Sequence, residues 1–264
     1  MKKITFNHVP AGIYTKALLQ QDWGNISGIK GIDEGRCSII AVDGENVLEV
    51  LYPKGAVGND AGGAKWNYKF DRPYDEYTVE YKIRVPKDFN FVRGGKLPGL
   101  YGGSGPAGGA SVAEADGFSA RIMWRELGLL CQYVYYVDKV AKKWGENYIW
   151  TKADNKCSLI TSNMWKDMNT LYDDRVYITP DTWHTLKTYV KMNTPEQKDG
   201  KIISWFNGIE VANIDIMFRK GLSFGIDQFK FTTFFGGNDE TWAPTKDEKV
   251  YFKDFVFTEG EGLK

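Results

Sequence analysis

Three short segments carry side chains that could do chemistry together. GGKLPGLYGG (residues 94–103) sets Lys96 among glycines and a proline, GFSARIMWR (117–125) spaces Ser119 and Arg121 two apart, and LLCQYVYYVDK (129–139) does the same for Tyr133 and Tyr135. Glycine adds no side chain to a core and is costly to order, so such a segment must let something approach its backbone closely or aim its lysine. The set holds no carboxylate pair and no histidine. Hydrolysis of a glycosidic bond normally uses two Asp or Glu residues flanking it, which makes a hydrolase the weaker reading.

Elimination across a uronic acid linkage suits these residue types better. Its difficult step is removing the C5 proton beside a carboxylate, an anion that resists losing a further proton. A guanidinium fork matches a carboxylate bidentately and stabilises the enolate-like charge that develops, which makes Arg121 the candidate neutraliser. A lysine near another cation and partly desolvated can have its pKa lowered enough to act as base. Tyrosine can serve as phenolate base or as phenol acid toward the leaving O4. On residue types alone, the division of base and acid among Lys96, Tyr133 and Tyr135 stays open.

The elements that must position these groups are strands. Tyr77, Val79, Tyr81, Ile83 and Val85 alternate with Thr78, Glu80, Lys82 and Arg84, the pattern of a half-buried strand. Asn207-Gly208 between IISWF and IEVANI predicts a tight hairpin. Similar runs at 46–52, 117–125, 129–138, 182–192, 228–235 and 248–257 are divided by turn residues, and no long capped helical period is present. Many short strands predict an all-β protein, a β-jelly roll or sandwich of two antiparallel sheets with an open groove, spanning residues 1–264 as one domain. Alternation puts Ser119 and Arg121 on one face of their strand and Tyr133 and Tyr135 on one face of theirs. If RELGL (125–129) is a hairpin turn, the two pairs are neighbours.

Here the motifs also carry a resemblance. GGKLPGLYGG, DGFSARIMWR, YVYY and the late FTTFFGGNDETWAPTKDEKVYFKDF resemble polysaccharide lyase family 14, the alginate and polyglucuronate lyases, from YPKGAVGNDAGGAKW at 52–66 to the C-terminus. The resemblance implies a jelly roll and endolytic, metal-independent β-elimination on a polyuronate. It also implies that the family's lysine is Lys96, its Ser-x-Arg is Ser119 and Arg121, and its Tyr-x-Tyr is Tyr133 and Tyr135. Segment 145–175 departs from the pattern. With all these groups on one face, base and acid reach the sugar from one side, which predicts syn elimination and a preference for mannuronate or glucuronate over guluronate.

Other features bound the function. The 34 basic residues balance the 34 acidic ones, so charge gives no reason to expect nucleic acid or a membrane surface. The expected partner is an acidic polysaccharide taken by a monomer, with no cofactor and no metal. Asn238-Asp239-Glu240 is too small a donor set to define a calcium loop. Cys37, Cys131 and Cys157 are too scattered for a disulfide framework and are expected as buried thiols. His184 falls on an apolar row with Leu186, Val190 and Met192 and is expected as a hydrogen-bonded core residue. The opposite row holds Lys187, Tyr189 and Lys191, and Tyr189 and Lys191 are candidates for binding sugar and carboxylate. The N-terminus shows no apolar stretch of a signal peptide, while the chemistry suits action outside a cell or as part of a virus particle. A non-catalytic jelly-roll binding protein for acidic polysaccharide is the competing function.

Overall fold

The alternation read from the sequence becomes strand pairing along most of the chain. The computed structural model describes residues 1–109, 116–137, 139–140, 144–153, 157–160, 168–221 and 223–260. Parts of segment 145–175, namely 154–156 and 161–167, and residue 138 of the run 129–138 lie outside them. The first strands are β1 (Lys2–Ile4), β2 (Gly12–Ile13), β3 (Ile26–Lys30), β4 (Cys37–Val42), β5 (Glu45–Tyr52), β6 (Ala64–Tyr74), β7 (Glu76–Arg84) and β8 (Gly94–Gly103). They continue as β9 (Gly117–Arg125), β10 (Leu130–Tyr135), β11 (Glu146–Ile149), β12 (Ser158–Leu159), β13 (His184–Lys191), β14 (Gly200–Phe206), β15 (Ile209–Ile216), β16 (Ile226–Phe235) and β17 (Glu248–Glu259).

These strands form two antiparallel sheets, a β-jelly roll. One runs β15-β14-β13-β7-β17-β5-β4-β2, with β1 also paired to β17, and the other runs β12-β11-β10-β9-β8-β16-β6-β3. Leu97 and Leu100 of β8, Ile122 and Trp124 of β9, and Phe229 and Phe231 of β16 meet Tyr81, Ile83, Phe252 and Phe255 of the other sheet in one continuous apolar core. Each such side chain contributes about 1.5–3 kcal/mol on burial. Since successive residues face opposite ways, burying this set turns Lys96, Arg121 and Lys230 to the other face of the eight-stranded sheet.

The hairpin at Asn207-Gly208 joins β14 to β15 with φ of 51° and 82°, the two left-handed positions a two-residue turn demands. Residues 126–128 form the turn between β9 and β10, with Leu127 at φ 59°. Two short helices, α1 (Lys16–Trp23) and α2 (Gly58–Ala61), accompany the strands. Thr15 caps α1, its hydroxyl oxygen accepting the Leu18 N–H at 3.3 Å, and Leu19 and Trp23, four apart, face the core. The Trp23 ring packs 5.1 Å from Phe255 and 5.3 Å from Trp66. Two turns are too short for a 3.6-residue period to stand out beside tryptophan and leucine, which also suit strands.

The glycine-rich segment is a central strand of its sheet, and its neighbours are what approach the backbone. A Cβ on Gly95 would lie 2.1 Å from the Trp124 ring and 2.4 Å from the Phe234 carbonyl oxygen. One on Gly99 would lie 2.1 Å from the Ala120 carbonyl oxygen.

Candidate active site

β8, β9 and β10 lie side by side and set the register of the site. Tyr133 sits opposite Arg121 and Tyr135 opposite Ser119 across the β9–β10 pair. Across β8–β9, Lys96 is opposite Met123, Gly99 opposite Arg121 and Tyr101 opposite Ser119. A register shift between Leu97 and Gly99 lets Pro98 bulge out, and this changes which face the later residues take. Lys96 and Tyr101, an odd number of residues apart, therefore both face away from the core. The open face is a groove of about 560 Å³ lined by Lys96, Tyr101, Arg121, Tyr133, Lys230 and Trp242 among others.

Lys96 is 9% exposed, and its amine donates to the Met123 sulfur and lies 3.6 Å from the centroid of the Tyr133 ring. Burial, reinforced by the Arg121 and Arg125 cations, holds that amine well below the usual lysine range, with Cys131 opposing weakly. Arg121 is 4% exposed, its guanidinium 5.4 Å from the Tyr133 ring and 5.8 Å from Tyr101. Its enclosed Nε meets no hydrogen-bond acceptor, and among the described residues no carboxylate pairs with the fork. A buried guanidinium without a carboxylate partner has donors in the geometry that suits a carboxylate. Arg125 donates to Asn147 Oδ1 and stacks at 5.6 Å on Trp242, whose ring also lies 4.9 Å from the Arg93 guanidinium.

The two tyrosines are unequal. The Tyr133 oxygen accepts from the Gly145 N–H at 3.2 Å and lies 3.2 Å from the Tyr135 oxygen, which accepts from the Gly109 N–H at 2.9 Å. If Tyr135 donates to Tyr133, every group is satisfied and the Tyr133 proton is left for the groove. Burial, then the neighbouring Tyr135, pushes the Tyr133 phenol above its usual range. Tyr133 lines the groove, whereas Tyr135 is fully buried behind it. Ser119 is also fully buried, and its hydroxyl donates to the Pro106 carbonyl at 2.8 Å. It tethers the loop after β8 instead of facing the groove.

Tyr189 and Lys191 do not join this site. They lie on β13, in the nine-stranded sheet, and Leu186 and Val190 on the same strand point into the core. The row holding Tyr189 and Lys191 therefore faces outward on the opposite side of the molecule, where the Tyr189 hydroxyl donates to Glu76 at 2.9 Å. The structure therefore does not bring these two expected substrate-binding residues together with Lys96, Arg121 and Tyr133. The row opposite includes His184, which is 3% exposed, bonds the Thr179 backbone through Nε2, and stacks at 4.7 Å on Phe206. Asp239 accepts from the Thr241 N–H at 3.0 Å, as the cap of a single helical turn. Cys37 and Cys131 are buried and Cys157 half-buried, all three as free thiols.

Tyr101, Lys230 and Trp242 were missed as groove residues. Lys230 stands in the row opposite Phe229 and Phe231, so face assignment on QFKFTTFF holds the signal. Tyr101 is hidden by the bulge at Pro98, and Trp242 by a loop without period.

A jelly roll with an anion-seeking groove on one sheet defines the class of protein, and comparison with known proteins agrees. The polysaccharide lyase 14 family matches residues 41–255. The chain belongs to this family, so the fold and groove are those of a polysaccharide lyase. A substituted form of alginate lyase Aly36B, solved with an alginate trisaccharide, superposes with TM-score 0.80 at 24% identity, covering 98% of this chain and 97% of that one. The marine alginate lyase from Aplysia kurodai superposes with TM-score 0.74 at 22% identity, covering 97% and 98%. The chain is 26% identical over 198 residues to the exolysin of Paramecium bursaria Chlorella virus 1, a match covering 67% of this chain and 28% of that protein. It thus spans little more than a quarter of that relative. Among the described residues no helix is long and apolar enough to cross a membrane.

Proposed function

We propose that the protein cleaves a polyuronate within the chain by β-elimination, acting on mannuronate-rich alginate or on polyglucuronate. The observation that carries this is a buried lysine amine, its basicity lowered by burial and two guanidiniums, beside an arginine fork that pairs with no carboxylate among the described residues. The alginate lyase Aly36B and the Aplysia kurodai alginate lyase share the fold, and their names point to the same substrate class.

The roles follow from where each group stands in the groove and from the direction in which burial and neighbouring charges shift Lys96 and Tyr133. Arg121 takes the carboxylate of the sugar to be cleaved and stabilises the charge that spreads onto it. Lys96, whose proton affinity burial and the Arg121 and Arg125 cations lower, accepts the C5 proton through the lone pair of its amine. The electron pair left at C5 forms the C4=C5 double bond as the C4–O4 bond breaks. Tyr133, held as the phenol, gives its proton to O4, the Tyr135 hydroxyl 3.2 Å away hydrogen-bonds the oxygen left behind, and exchange with solvent in the open groove returns a proton to Tyr133 and removes the one on Lys96. The products are a chain with a new reducing end and an unsaturated uronate at the other new end. Ser119 acts on the loop at Pro106, and no metal is called for, since the guanidinium supplies the positive charge.

Lys96 and Tyr133 rise from one face, so base and acid approach the ring from one side. Mannuronate and glucuronate carry H5 and O4 on the same side, whereas guluronate carries them opposite. Initial rates of ultraviolet absorbance on matched block polymers test the proposal, with mannuronate or glucuronate blocks expected to be cleaved faster. A preference for guluronate overturns one-sided elimination. Binding without absorbance points instead to a carbohydrate-binding protein, and new reducing ends without absorbance to a hydrolase.

A further inference from the structure

A second cation stands in the same cross-strand row as Arg121. Reading across the sheet, Tyr133 on β10 is paired to Arg121 on β9, Arg121 to Gly99 on β8, and Gly99 to Lys230 on β16. Neighbouring strands lie about 4.8 Å apart, which puts the backbones of Arg121 and Lys230 about 10 Å apart. The position between them is glycine, so nothing rises from the groove floor there. Tyr101 flanks that gap, its ring 4.1 Å from the Lys230 amine and 5.8 Å from the Arg121 guanidinium.

The Lys230 amine is half-buried and donates to the Gly105 carbonyl at 3.2 Å. An ammonium has three protons to donate, and among the described residues no carboxylate lies within ion-pair distance of this one. The charged and titratable groups around it are Arg121 from β9, Lys65 from β6, Tyr101 from β8 and Asp227 on its own strand. Three of these five groups, counting Lys230, are cationic, and the surplus positive charge faces the groove.

We propose that Lys230 is a second carboxylate anchor, holding the uronate next to the one whose carboxylate Arg121 takes, and that it governs affinity without entering the chemical step. The proposal rests on the polyuronate reading above. Burial, then Arg121 and Lys65, lowers the Lys230 amine to about 8, with Asp227 opposing. The sign is that of a lowered lysine: the cation is present below that pH and is lost as pH rises through it. Substrate affinity should therefore weaken on the alkaline side.

The test is KM and kcat on a polyuronate, at pH values on either side of about 8, for the wild type, Lys230→Gln and Lys230→Arg. A lost charge-assisted contact predicts that Lys230→Gln raises KM about tenfold with kcat within about twofold. The wild-type KM should climb with pH, that of Lys230→Gln should stay flat and high, and that of Lys230→Arg should stay low throughout. An unchanged KM in Lys230→Gln, a fall in kcat alone, or an arginine variant that behaves like the glutamine one overturns the proposal. If the wild type yields no unsaturated product, the lyase reading fails separately. Calorimetric binding of an oligouronate then decides, with about tenfold weaker binding by Lys230→Gln supporting the anchor and equal binding overturning it.

Discussion

The outer face of the nine-stranded sheet and the groove face of the eight-stranded sheet are built from the same residue types at the same period, yet they differ in where the opposite charges sit. On the outer face Lys82 pairs with Asp254 at 2.9 Å, Lys249 with Glu49 at 3.0 Å, Lys253 with Glu45, and Arg84 with Asp43 at 2.6 Å. Aromatic rings lie among them, with the Lys253 amine 4.5 Å from Trp183. In the groove, Lys96, Arg121 and Lys230 also stand over aromatic rings, but none has a carboxylate partner among the described residues. Exposed pairs contribute about 0–1 kcal/mol each and complete a surface, whereas buried cations without counter-charge cost stability unless a ligand supplies the charge. Basic and aromatic spacing alone does not mark a polysaccharide site. A missing counter-charge marks where an anion is favoured.

The sharpest way to break the comparison is at Lys96. Lys96→Ala should lower kcat by roughly 10²–10⁴-fold, the range for loss of a positioned base, while the melting transition stays cooperative and near its wild-type temperature. Near-normal turnover would remove the lysine from the chemistry. A pH profile sharpens the claim. Because the Lys96 amine is held well below its usual range, the free base persists to lower pH than in an ordinary lysine, and kcat/KM should fall on the acidic side as that amine gains its proton. Arg125 is one of the two cations that lower it, so Arg125→Gln should move that acidic limb to higher pH. A limb that stays put would assign it to another group.

A smaller effect is expected where the groove floor meets the core. Gly95→Ala drives a methyl into the Trp124 ring and the Phe234 carbonyl. Overpacking of this kind costs about 1–3 kcal/mol. Gly95 adjoins Lys96, so the shift should also lower kcat, and denaturant melts read alongside turnover separate the two effects. A variant as stable as the wild type would mean that β8 relaxes away from Trp124 freely.

These contrasts also explain what the sequence made legible. Strand positions, the Asn207-Gly208 hairpin and the face shared by Ser119, Arg121, Tyr133 and Tyr135 follow from alternation, which is local and regular. Tyr101 was out of reach because one bulged residue, Pro98, reverses the alternation after it. Alternation on β16 gives the face of Lys230, but placing it beside Arg121 requires knowing that β16 pairs with β8, strands some 130 residues apart in the chain, a choice that alternation does not encode. Tyr189 and Lys191 show the same gap from the other side. Alternation correctly separates their row from the core row of β13, but it does not say which sheet the strand joins. The division of labour within the site was likewise hidden. Ser119 and Tyr135 differ from Arg121 and Tyr133 only in how deeply the loop at 104–109 covers them.

The smallest effect is expected on the outer face, and it tests the comparison most directly. Tyr189→Phe removes the hydroxyl that donates to Glu76 while keeping the ring, so stability should fall by about 0.5–1.5 kcal/mol, the net worth of one hydrogen bond. Lys191→Gln removes an exposed charge and should leave stability within about 0.5 kcal/mol. Neither change reaches the groove, because the core between the sheets separates β13 from it. Both variants should therefore keep wild-type kcat and KM on polyuronate, including long polymers, where an outer binding face would show itself most. A raised KM on long chains with an unchanged KM on short ones would mean that the polymer wraps onto the outer sheet, and the line drawn between paired and unpaired cations would fail there.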